Sequence, residues 1–184
     1  MKELSLNVLD ITENSVKAGA TITEIIIEEI DNKLTLIIRD DGCGMSEHIR
    51  RAVTNPFYTT RTTRSVGLGI PLLKLAAEQT GGSLEISSVT ADEDSESHGT
   101  TVRATFFTDH IDFTPLGDII STITTLIQGH PDTDFLYCHK KGGSEVNLDT
   151  RELREVLEGV PLDTFEVICW IRDHLSEQYG NFKK

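Results

Sequence analysis

The sequence predicts an α+β protein. Its larger part, residues 1–108, is expected to be a two-layer α/β sandwich with helices over one face of a mixed sheet. Segments with helical spacing of apolar residues alternate there with short strand-like segments rich in Ile, Thr and Leu. The strand-like pattern stops near 108–114, where Thr114 and Pro115 open a new helix. Residues 109–184 are therefore expected to form a small C-terminal α+β appendage.

The first elements of the larger part follow directly from their residue patterns. Residues 3–18 carry apolar side chains at helical spacing, and Gly19 stands where a left-handed residue closes a helix. The segments 21–30 and 33–39 alternate in hydrophobicity and are joined by two turn-forming residues. The sequence therefore predicts a helix followed by an antiparallel hairpin.

A glycine-containing loop, 40–45, separates the hairpin from two further predicted helices. Ser46 is a favoured N-cap residue, and it predicts a short helix over 47–53. A loop rich in Thr and Arg follows, and residues 67–79 again show helical spacing. The side chains of this helix expected to face inward are Leu68, Leu72, Leu75 and Ala76.

Two strands, 83–89 and 100–107, complete the larger predicted part. They are linked by an acidic segment without apolar side chains beyond one alanine, which indicates a surface connection. The appendage is predicted to contain a helix over 118–128, a hairpin of 135–139 and 145–148, and helices beginning after Asp149 and Asp163.

Composition narrows the classes of function. The 184-residue chain has a formal net charge of −13, and no basic stripe offsets it, so nucleic acid and anionic membranes are not expected partners. Cys43, Cys138 and Cys169 are odd in number and far apart, which argues against a disulfide framework or a zinc site. No apolar run approaches the roughly 20 residues that span a bilayer. The sequence therefore predicts a soluble, cytoplasmic protein.

Three polar residues of the first helix share one face. Asp10, Asn14 and Lys17 occupy positions i, i+4 and i+7. An amide oxygen is a hard ligand for Mg²⁺, an ammonium group attracts phosphate, and a carboxylate can orient water or a hydroxyl. The pattern predicts a site for a magnesium-bound phosphate, and a solvated helix face is the alternative.

Two glycine-containing segments lack the spacing of dinucleotide-binding and P-loop motifs. Gly67 and Gly69 precede a helix, whose first N–H groups and positive dipole favour phosphate. Asp40 directly follows a strand, where its carboxylate can accept a hydrogen bond from an exocyclic amine. Gly42 and Gly44 would let a planar ring approach the backbone. The two segments therefore predict a nucleotide site.

Five motifs in this order resemble those of the GHKL superfamily of Bergerat-fold ATP-binding domains. This superfamily includes gyrase-type topoisomerases, heat-shock chaperones, sensor histidine kinases and mismatch-repair ATPases. Residues 10–21 resemble its N-box, closest to the mismatch-repair form, and residues 40–45 resemble its first glycine box. Residues 55–61 and 67–70 resemble the F-box and second glycine box of histidine kinases, and 99–101 resemble the closing Gly-Thr strand.

The resemblance implies roles for residues on the phosphate side of such a site. Asn14 would hold Mg²⁺, Lys17 would contact phosphate, and Asp10 would act as the catalytic base. Arg61 and Arg64 would reach the terminal phosphate of ATP, although a solvated loop charge is an equal alternative for both. The phosphate would also lie against the backbone of Gly67, Leu68 and Gly69.

The resemblance also implies an adenine side. Asp40 would bind the adenine amino group, and Gly42 and Gly44 would lie close to the ring. Thr100 would hydrogen-bond near adenine, directly or through water.

Two departures from the family pattern bear on activity. Most hydrolysing members have Glu where this chain has Asp10, and the shorter side chain withdraws the carboxylate by about 1 Å, which predicts slow hydrolysis. Glu13 is an alternative base, but it is expected to point aside into a surface contact. The loop 58–66 is shorter than the lids of chaperones and gyrases, so a clamp mechanism is not expected.

Histidine-kinase relatives carry a phospho-accepting histidine on an upstream helical hairpin, and only two residues precede the N-box helix here. The phosphoryl acceptor is therefore expected on a partner protein. The predicted function is Mg·ATP binding by a signalling domain that transfers the γ-phosphoryl group or hydrolyses ATP slowly. A non-catalytic nucleotide sensor and a structural subunit of a larger complex are the alternatives.

An apolar stripe near the C-terminus is expected to pack into the core, and a partner-binding face is the alternative. Its members are Phe165, Ile168, Trp170, Ile171 and Leu175.

Overall fold

The computed structural model of the chain describes residues 3–54, 68–94 and 96–182. The helices are α1 (Leu4–Lys17), α2 (Glu47–Ala52), α3 (Gly69–Gln79), α4 (Ile119–Gly129), α5 (Thr150–Leu157) and α6 (Phe165–Gly180). The strands are β1 (Ile22–Ile30), β2 (Lys33–Asp40), β3 (Ser83–Val89), β4 (Gly99–Phe107), β5 (Asp134–Lys141) and β6 (Ser144–Asp149). Within the described ranges the strands form one six-stranded mixed sheet in the order β3-β4-β2-β1-β5-β6.

The predicted α+β fold is confirmed, and the hairpin β1–β2 lies at the centre of the sheet. The two strands pair antiparallel from Ile30 and Lys33, beside the turn, to Thr23 and Asp40 at the far end. Asp31 in the turn has a φ of 52°, a left-handed conformation that Asp tolerates better than most residues. The pairing brings Asp40 to the edge of the sheet where α1 ends.

Burial alternates along β1, whereas β2 is buried on both of its faces from Leu34 to Ile38. Ile25 and Ile27 of β1 lie in the core beneath the helices, together with Leu36 of β2. The opposite face carries charged side chains such as Arg39, whose Nη1 lies 3.4 Å from Oε2 of the cross-strand Glu24. A core on the face that the helices cover is the pattern of the two-layer arrangement that the sequence predicts.

Residues 109–184 have the expected α+β content, and they extend the sheet of the larger part. Strand β5 pairs in parallel with β1, with Ile22 opposite Asp134, and β6 adds the outer edge. Side chains of α4 and α6 join the same core cluster as those of α1. The two parts therefore share one sheet and one core, while the division at residue 108 into folding units stays a prediction.

The inward face of α3 was predicted only in part, since Leu72 and Ala76 are half-buried and Ala76 packs against the core. Leu73 and Ala77 are completely buried, whereas Leu68 and Leu75 are 42% and 51% exposed. The helical period was correct, but the buried stripe lies one residue further along the chain. The cause is the start of the helix, where Gly69 packs directly onto α1 and fixes the rotation of α3 about its axis.

The apolar stripe of α6 divides between core and surface. Ile168, Ile171 and Leu175 are buried as expected, but Phe165 and Trp170 are 76% and 50% exposed. These two lie on the flanks of the helix, outside the arc that meets the sheet.

Within the described ranges, the helices are all too short or too polar to span a lipid bilayer.

Candidate functional site

The polar face of α1 points away from the core. Asp10, Asn14 and Lys17 are all exposed, whereas Val8 and Ile11 on the other side are buried. The buried stripe fixes the rotation of α1, and the three polar side chains therefore remain together on the accessible side.

The start of α3 lies against this polar face. A Cβ atom added to Gly69 would approach Asp10 Cβ to 3.2 Å and Asn14 Nδ2 to 3.9 Å. Pro71 occupies the first turn of α3, a position at which the missing N–H costs no intrahelical hydrogen bond. The first N–H groups of a helix have no partner within the helix, so this end brings donors and a positive dipole beside Asn14.

Asp40 collects hydrogen bonds from three separate elements. Its Oδ2 accepts from Ser15 Oγ of α1 at 2.6 Å. Its Oδ1 accepts from Gly42 N at 3.0 Å and from Thr100 N of β4 at 3.1 Å. A carboxylate offers about four acceptor positions, so the contacts described leave about one, on Oδ2.

The neighbouring Asp41 serves the backbone instead. Its Oδ1 accepts from Thr21 N at 2.8 Å and from Ile22 N at 3.0 Å, and its Oδ2 accepts from the Thr21 hydroxyl. Burial raises the pKa of Asp41, but the hydrogen bonds from Thr21 and Ile22 outweigh burial and lower the pKa overall. Asp41 thus anchors the start of β1, and Asp40 is the carboxylate that faces the site.

The glycines of the first loop are required by the protein's own packing. A Cβ at Gly42 would lie 2.9 Å from Ala18 Cβ, and one at Gly44, whose φ is +72°, would lie 1.9 Å from the carbonyl oxygen of Val89. Any side chain at either position would therefore displace this loop. Contact of these glycines with a planar ring stays a prediction.

Thr100 is held beside Asp40 from two directions. Its backbone N–H donates to Asp40, and its Oγ1 lies 2.8 Å from Ser88 Oγ. Ser88 also accepts from Met45 N at 2.7 Å, so the end of the first glycine loop is tied to the same strand pair. The loop is fixed again by the His98 ring, whose Nδ1 lies 2.6 Å from Gly42 O. These contacts give the Asp40 region a rigid frame.

Lys17 lies on the polar face, and its ammonium group already has a partner. Lys17 Nζ is 3.2 Å from Oε2 of Glu13, whose Oε1 is 2.7 Å from His130 Nε2. Burial raises the pKa of Glu13, but the hydrogen bonds with His130 and Lys17 outweigh burial and lower the pKa overall. As predicted, Glu13 points aside into contacts of this kind.

Several predicted residues fall outside the described ranges. These are Arg61, Arg64 and Gly67, together with the segments 55–61 and 58–66. Leu68 is described and lies at the exposed start of α3.

Sequence reasoning missed Ser15, the residue that connects Asp40 to the helix of Asn14. Ser15 is 3% exposed, and the available signal was a hydroxyl on the buried stripe of an otherwise apolar helix. Ser88 was also missed, and nothing in its local sequence distinguishes it from an ordinary strand serine.

The residues present fit a magnesium nucleotide. A glycine cradle lies beside the Asn14 amide, and an amide oxygen is a ligand that Mg²⁺ accepts. The acceptor capacity left on Asp40 suits an amino group. Among the residues that the structure describes, no group of three or more His, Cys, Asp or Glu side chains is arranged to hold a metal.

Fold and site together define a GHKL-type ATPase domain. Residues 2–110 match the family described as Histidine kinase-, DNA gyrase B-, and HSP90-like ATPase, and the chain belongs to this family. The tetrathionate sensor histidine kinase TtrS of Salmonella typhimurium is 31% identical over 78 residues, which cover 42% of this chain and 13% of TtrS. The signal transduction histidine-protein kinase AtoS of Escherichia coli is 25% identical over 89 residues, 48% of this chain and 14% of AtoS. The matches thus cover only small parts of both kinases.

Two solved structures share the fold over a larger share of this chain. The ATPase domain of Aquifex aeolicus MutL complexed with ADP superposes with a TM-score of 0.55 at 15% identity, covering 86% of this chain and 70% of that one. The N-terminal domain of a DNA repair protein gives a TM-score of 0.57 at 19% identity, covering 81% and 53%. Both matches reach beyond the 109 residues of the family match into the C-terminal part.

Proposed function

We propose that this chain binds Mg·ATP between the polar face of α1, the loop after β2 and the start of α3. One observation carries the proposal. Asp40 is held by Ser15, Gly42 and Thr100 in a fixed orientation, with acceptor capacity remaining for an amino group. The hydrogen bond of Ser15 ties this carboxylate to the helix that carries Asn14, which supports a shared site for Asp40 and the Asn14 amide.

The phosphate end of the proposed site is formed by α1 and α3. Asn14 would hold the Mg²⁺ ion, and Lys17 and the N–H groups at the start of α3 would bind phosphate oxygens. Bound Mg²⁺ would supply charge neutralisation for the phosphates. Asp10 would orient the attacking hydroxyl or water and accept its proton, and Arg61, Arg64 and Gly67 complete the predicted set.

The reaction we propose is transfer of the γ-phosphoryl group to a partner protein, or slow hydrolysis. The kinase relatives support phosphoryl transfer, and the short side chain of Asp10 supports slow turnover. Positioning and electrostatic stabilisation would supply most of the catalysis. We place the protein in the cytoplasm, an environment that suits its three free cysteines.

A nucleotide sensor without turnover is the second candidate. It is favoured by the contact between α1 and His130 of the C-terminal part, because binding at α1 would then reach the surface of that part directly.

Calorimetric titration tests the binding proposal. ADP and a non-hydrolysable ATP analogue are each titrated with and without Mg²⁺ into the wild type and into Asn14→Ala. We expect the wild type to bind nucleotide more tightly with Mg²⁺ than without it, and we expect Mg²⁺ to make no difference to binding by Asn14→Ala. Absence of binding for both nucleotides would overturn the proposal, and an unchanged metal response in Asn14→Ala would remove Asn14 from its role.

Labelled ATP then separates the activities. Free phosphate without labelled protein identifies an ATPase, and label on an added partner identifies a kinase. If neither free phosphate nor labelled protein forms, the protein is a sensor. Asp10→Asn is expected to abolish turnover and to preserve affinity, so persistent turnover would exclude Asp10 as the base.

A further inference from the structure

Glu13 joins the polar face of α1 to the C-terminal part of the chain. One of its carboxylate oxygens, Oε2, lies 3.2 Å from Lys17 Nζ, and the other, Oε1, lies 2.7 Å from His130 Nε2. His130 is the C-cap residue of α4, more than a hundred residues away along the chain. A carboxylate can only accept, so Nε2 of His130 carries the hydrogen of this bond.

We infer that Glu13 and His130 are positioning residues that control how far Lys17 is available to nucleotide phosphate. The inference rests on the proposed function, and it assigns to α4 an influence on ATP affinity. Neither residue needs to touch the nucleotide, since both act through the ammonium group of Lys17.

Glu13 and the phosphates of ATP compete for Lys17, and this competition sets the sign of the effect on ATP affinity. Lys17 has three N–H donors, and Glu13 engages this ammonium group where phosphate oxygens are expected. The side chain of Lys17 is 56% exposed and that of Glu13 is 31% exposed, so the pair is a weak surface pair that a polyphosphate displaces. The remaining negative charge of Glu13 still opposes the phosphates after displacement. Removing this charge should strengthen ATP binding.

His130 weakens the pairing between Glu13 and Lys17. Its hydrogen bond to Oε1 stabilises the carboxylate from the side opposite Lys17. Without His130, Lys17 becomes the main described partner of Glu13, and the two hold each other more strongly. Removing His130 should therefore weaken ATP binding, which is the opposite sign to the effect of removing the Glu13 charge.

The experiment measures the affinity of the non-hydrolysable ATP analogue and of adenosine, which has no phosphate. Glu13→Gln is expected to raise the affinity for the analogue by about threefold, and His130→Ala to lower it by about twofold. The double variant should match Glu13→Gln, because His130 acts only through Glu13. Affinity for adenosine should stay unchanged in all three variants.

His130→Gln is the matched control, because its amide retains an N–H donor for Glu13, and wild-type affinity is the expected result. A loss of analogue affinity in His130→Ala that persists in the Glu13→Gln background would show a merely structural role and overturn the inference.

A second readout needs no nucleotide. Urea unfolding of the two single variants and the double variant gives the coupling between Glu13 and His130, which should be favourable in the free protein. Additive effects would overturn the inference. If wild type binds no nucleotide, the proposed function fails together with the inference. Normal binding with unshifted variants overturns the inference alone.

Discussion

Two polar clusters lie at opposite ends of the central strand β1, and they differ in what they leave unsatisfied. At its start, opposite Thr23, Asp40 is partly exposed and retains acceptor capacity after its contacts with Ser15, Gly42 and Thr100. At its other end, near Glu29, a buried cluster is formed with β5 and α6. We call this second group the His139 cluster: Glu29, Tyr137, His139, Lys141 and Tyr179.

The contacts of the His139 cluster form a chain with one consistent direction. His139 is 2% exposed, with Nε2 3.0 Å from Glu29 Oε1 and Nδ1 2.8 Å from the Tyr179 hydroxyl. The Tyr137 hydroxyl donates to Tyr179, Tyr179 donates to His139, and His139 donates to Glu29 when its ring is neutral. Lys141 Nζ completes the chain, 2.7 Å from Glu29 Oε2.

The difference separates structural from functional polar groups. The His139 cluster uses its donors and acceptors internally, so it specifies how β5 and α6 dock and leaves little for a ligand. The Asp40 region is equally well oriented, but its contacts with the described residues leave one acceptor position. A carboxylate held rigidly with an unused acceptor position is what a specific ligand site requires.

The largest expected effect breaks the His139 cluster. His139→Ala would remove one hydrogen-bond partner from Glu29 and one from Tyr179, and it would create a cavity beside Phe182, whose ring centroid lies 4.6 Å from that of His139. We expect a loss of about 3–5 kcal/mol in the free energy of unfolding, measured with urea. His48→Ala, at an exposed histidine, is the control and should change little. A loss below about 1 kcal/mol would contradict a structural role.

The next effect concerns the Asp40 region. In Asp40→Asn the amide oxygen can still accept from Gly42 and Thr100, and the amide nitrogen can donate to Ser15, but no acceptor remains for an amino group. We expect stability within about 1 kcal/mol of wild type and a 10- to 150-fold loss of ATP affinity, about 1.5–3 kcal/mol. Retained affinity would end the assignment of Asp40. Ser15→Ala, which removes one supporting bond only, should lose less.

The third effect is a dependence of stability on pH that originates in the His139 cluster. Burial lowers the pKa of His139 below its ordinary 6.5, so the unfolded chain binds this proton more readily. Stability should therefore fall as pH decreases from 6.5 towards the folded pKa, by at most about 1.4 kcal/mol per pH unit for one proton. Glu13 and Asp41 have a lowered pKa in the folded protein, and their ordinary pKa values are 4.5 and 3.8. The stabilisation that these two carboxylates provide is therefore lost only as the pH falls below those values.

At alkaline pH the loss of stability comes from the two buried tyrosines of the His139 cluster. Burial raises the pKa of Tyr137 well above 10 and that of Tyr179 to about 12, so stability should also fall above pH 10. Urea unfolding between pH 5 and 11.5 measures both limbs. In His139→Gln, which does not titrate, the limb between pH 6.5 and 5 should flatten. A slope unchanged from wild type would show that other groups cause it.

The smallest effect lies at the sheet edge beside the His139 cluster. The side chain of Gln178 accepts from Asn147 N at 2.9 Å and donates to Asn147 O at 2.9 Å, in the way that a neighbouring strand would. Gln178→Ala should cost about 1 kcal/mol and expose these groups of β6 to pairing with another copy. Urea unfolding and size-exclusion chromatography measure the two consequences. Gln178→Glu, which keeps the acceptor only, should be intermediate, and ATP affinity should not change.

Local signals in the sequence predicted most of the elements correctly. Period and turn chemistry gave α1 and the β1–β2 hairpin within about two residues, and the exposed face of Asp10, Asn14 and Lys17 followed from the period alone. The rotation of α3 was wrong because helical period does not specify which of two adjacent apolar stripes meets the core. The packing of Gly69 against Asp10 decided it.

Contacts between distant segments could not be predicted. Ser15 bonds to Asp40 across 25 residues, and His130 reaches Glu13 across 117. The parallel pairing of β1 with β5 joins segments more than a hundred residues apart. No local propensity encodes such pairings, because they depend on which buried faces meet.

The sequence by itself determined the class of the protein, its helices and strands, and the residue types available to a nucleotide. These properties depend on side-chain chemistry and short-range spacing, which a linear pattern carries completely. Only the tertiary structure decided which polar groups have all their hydrogen bonds made by the described residues and which can still accept one. That outcome depends on distances between elements set by the packing of a shared core, so Asp40 and Asp41, which are the same residue type, differ by their positions in space.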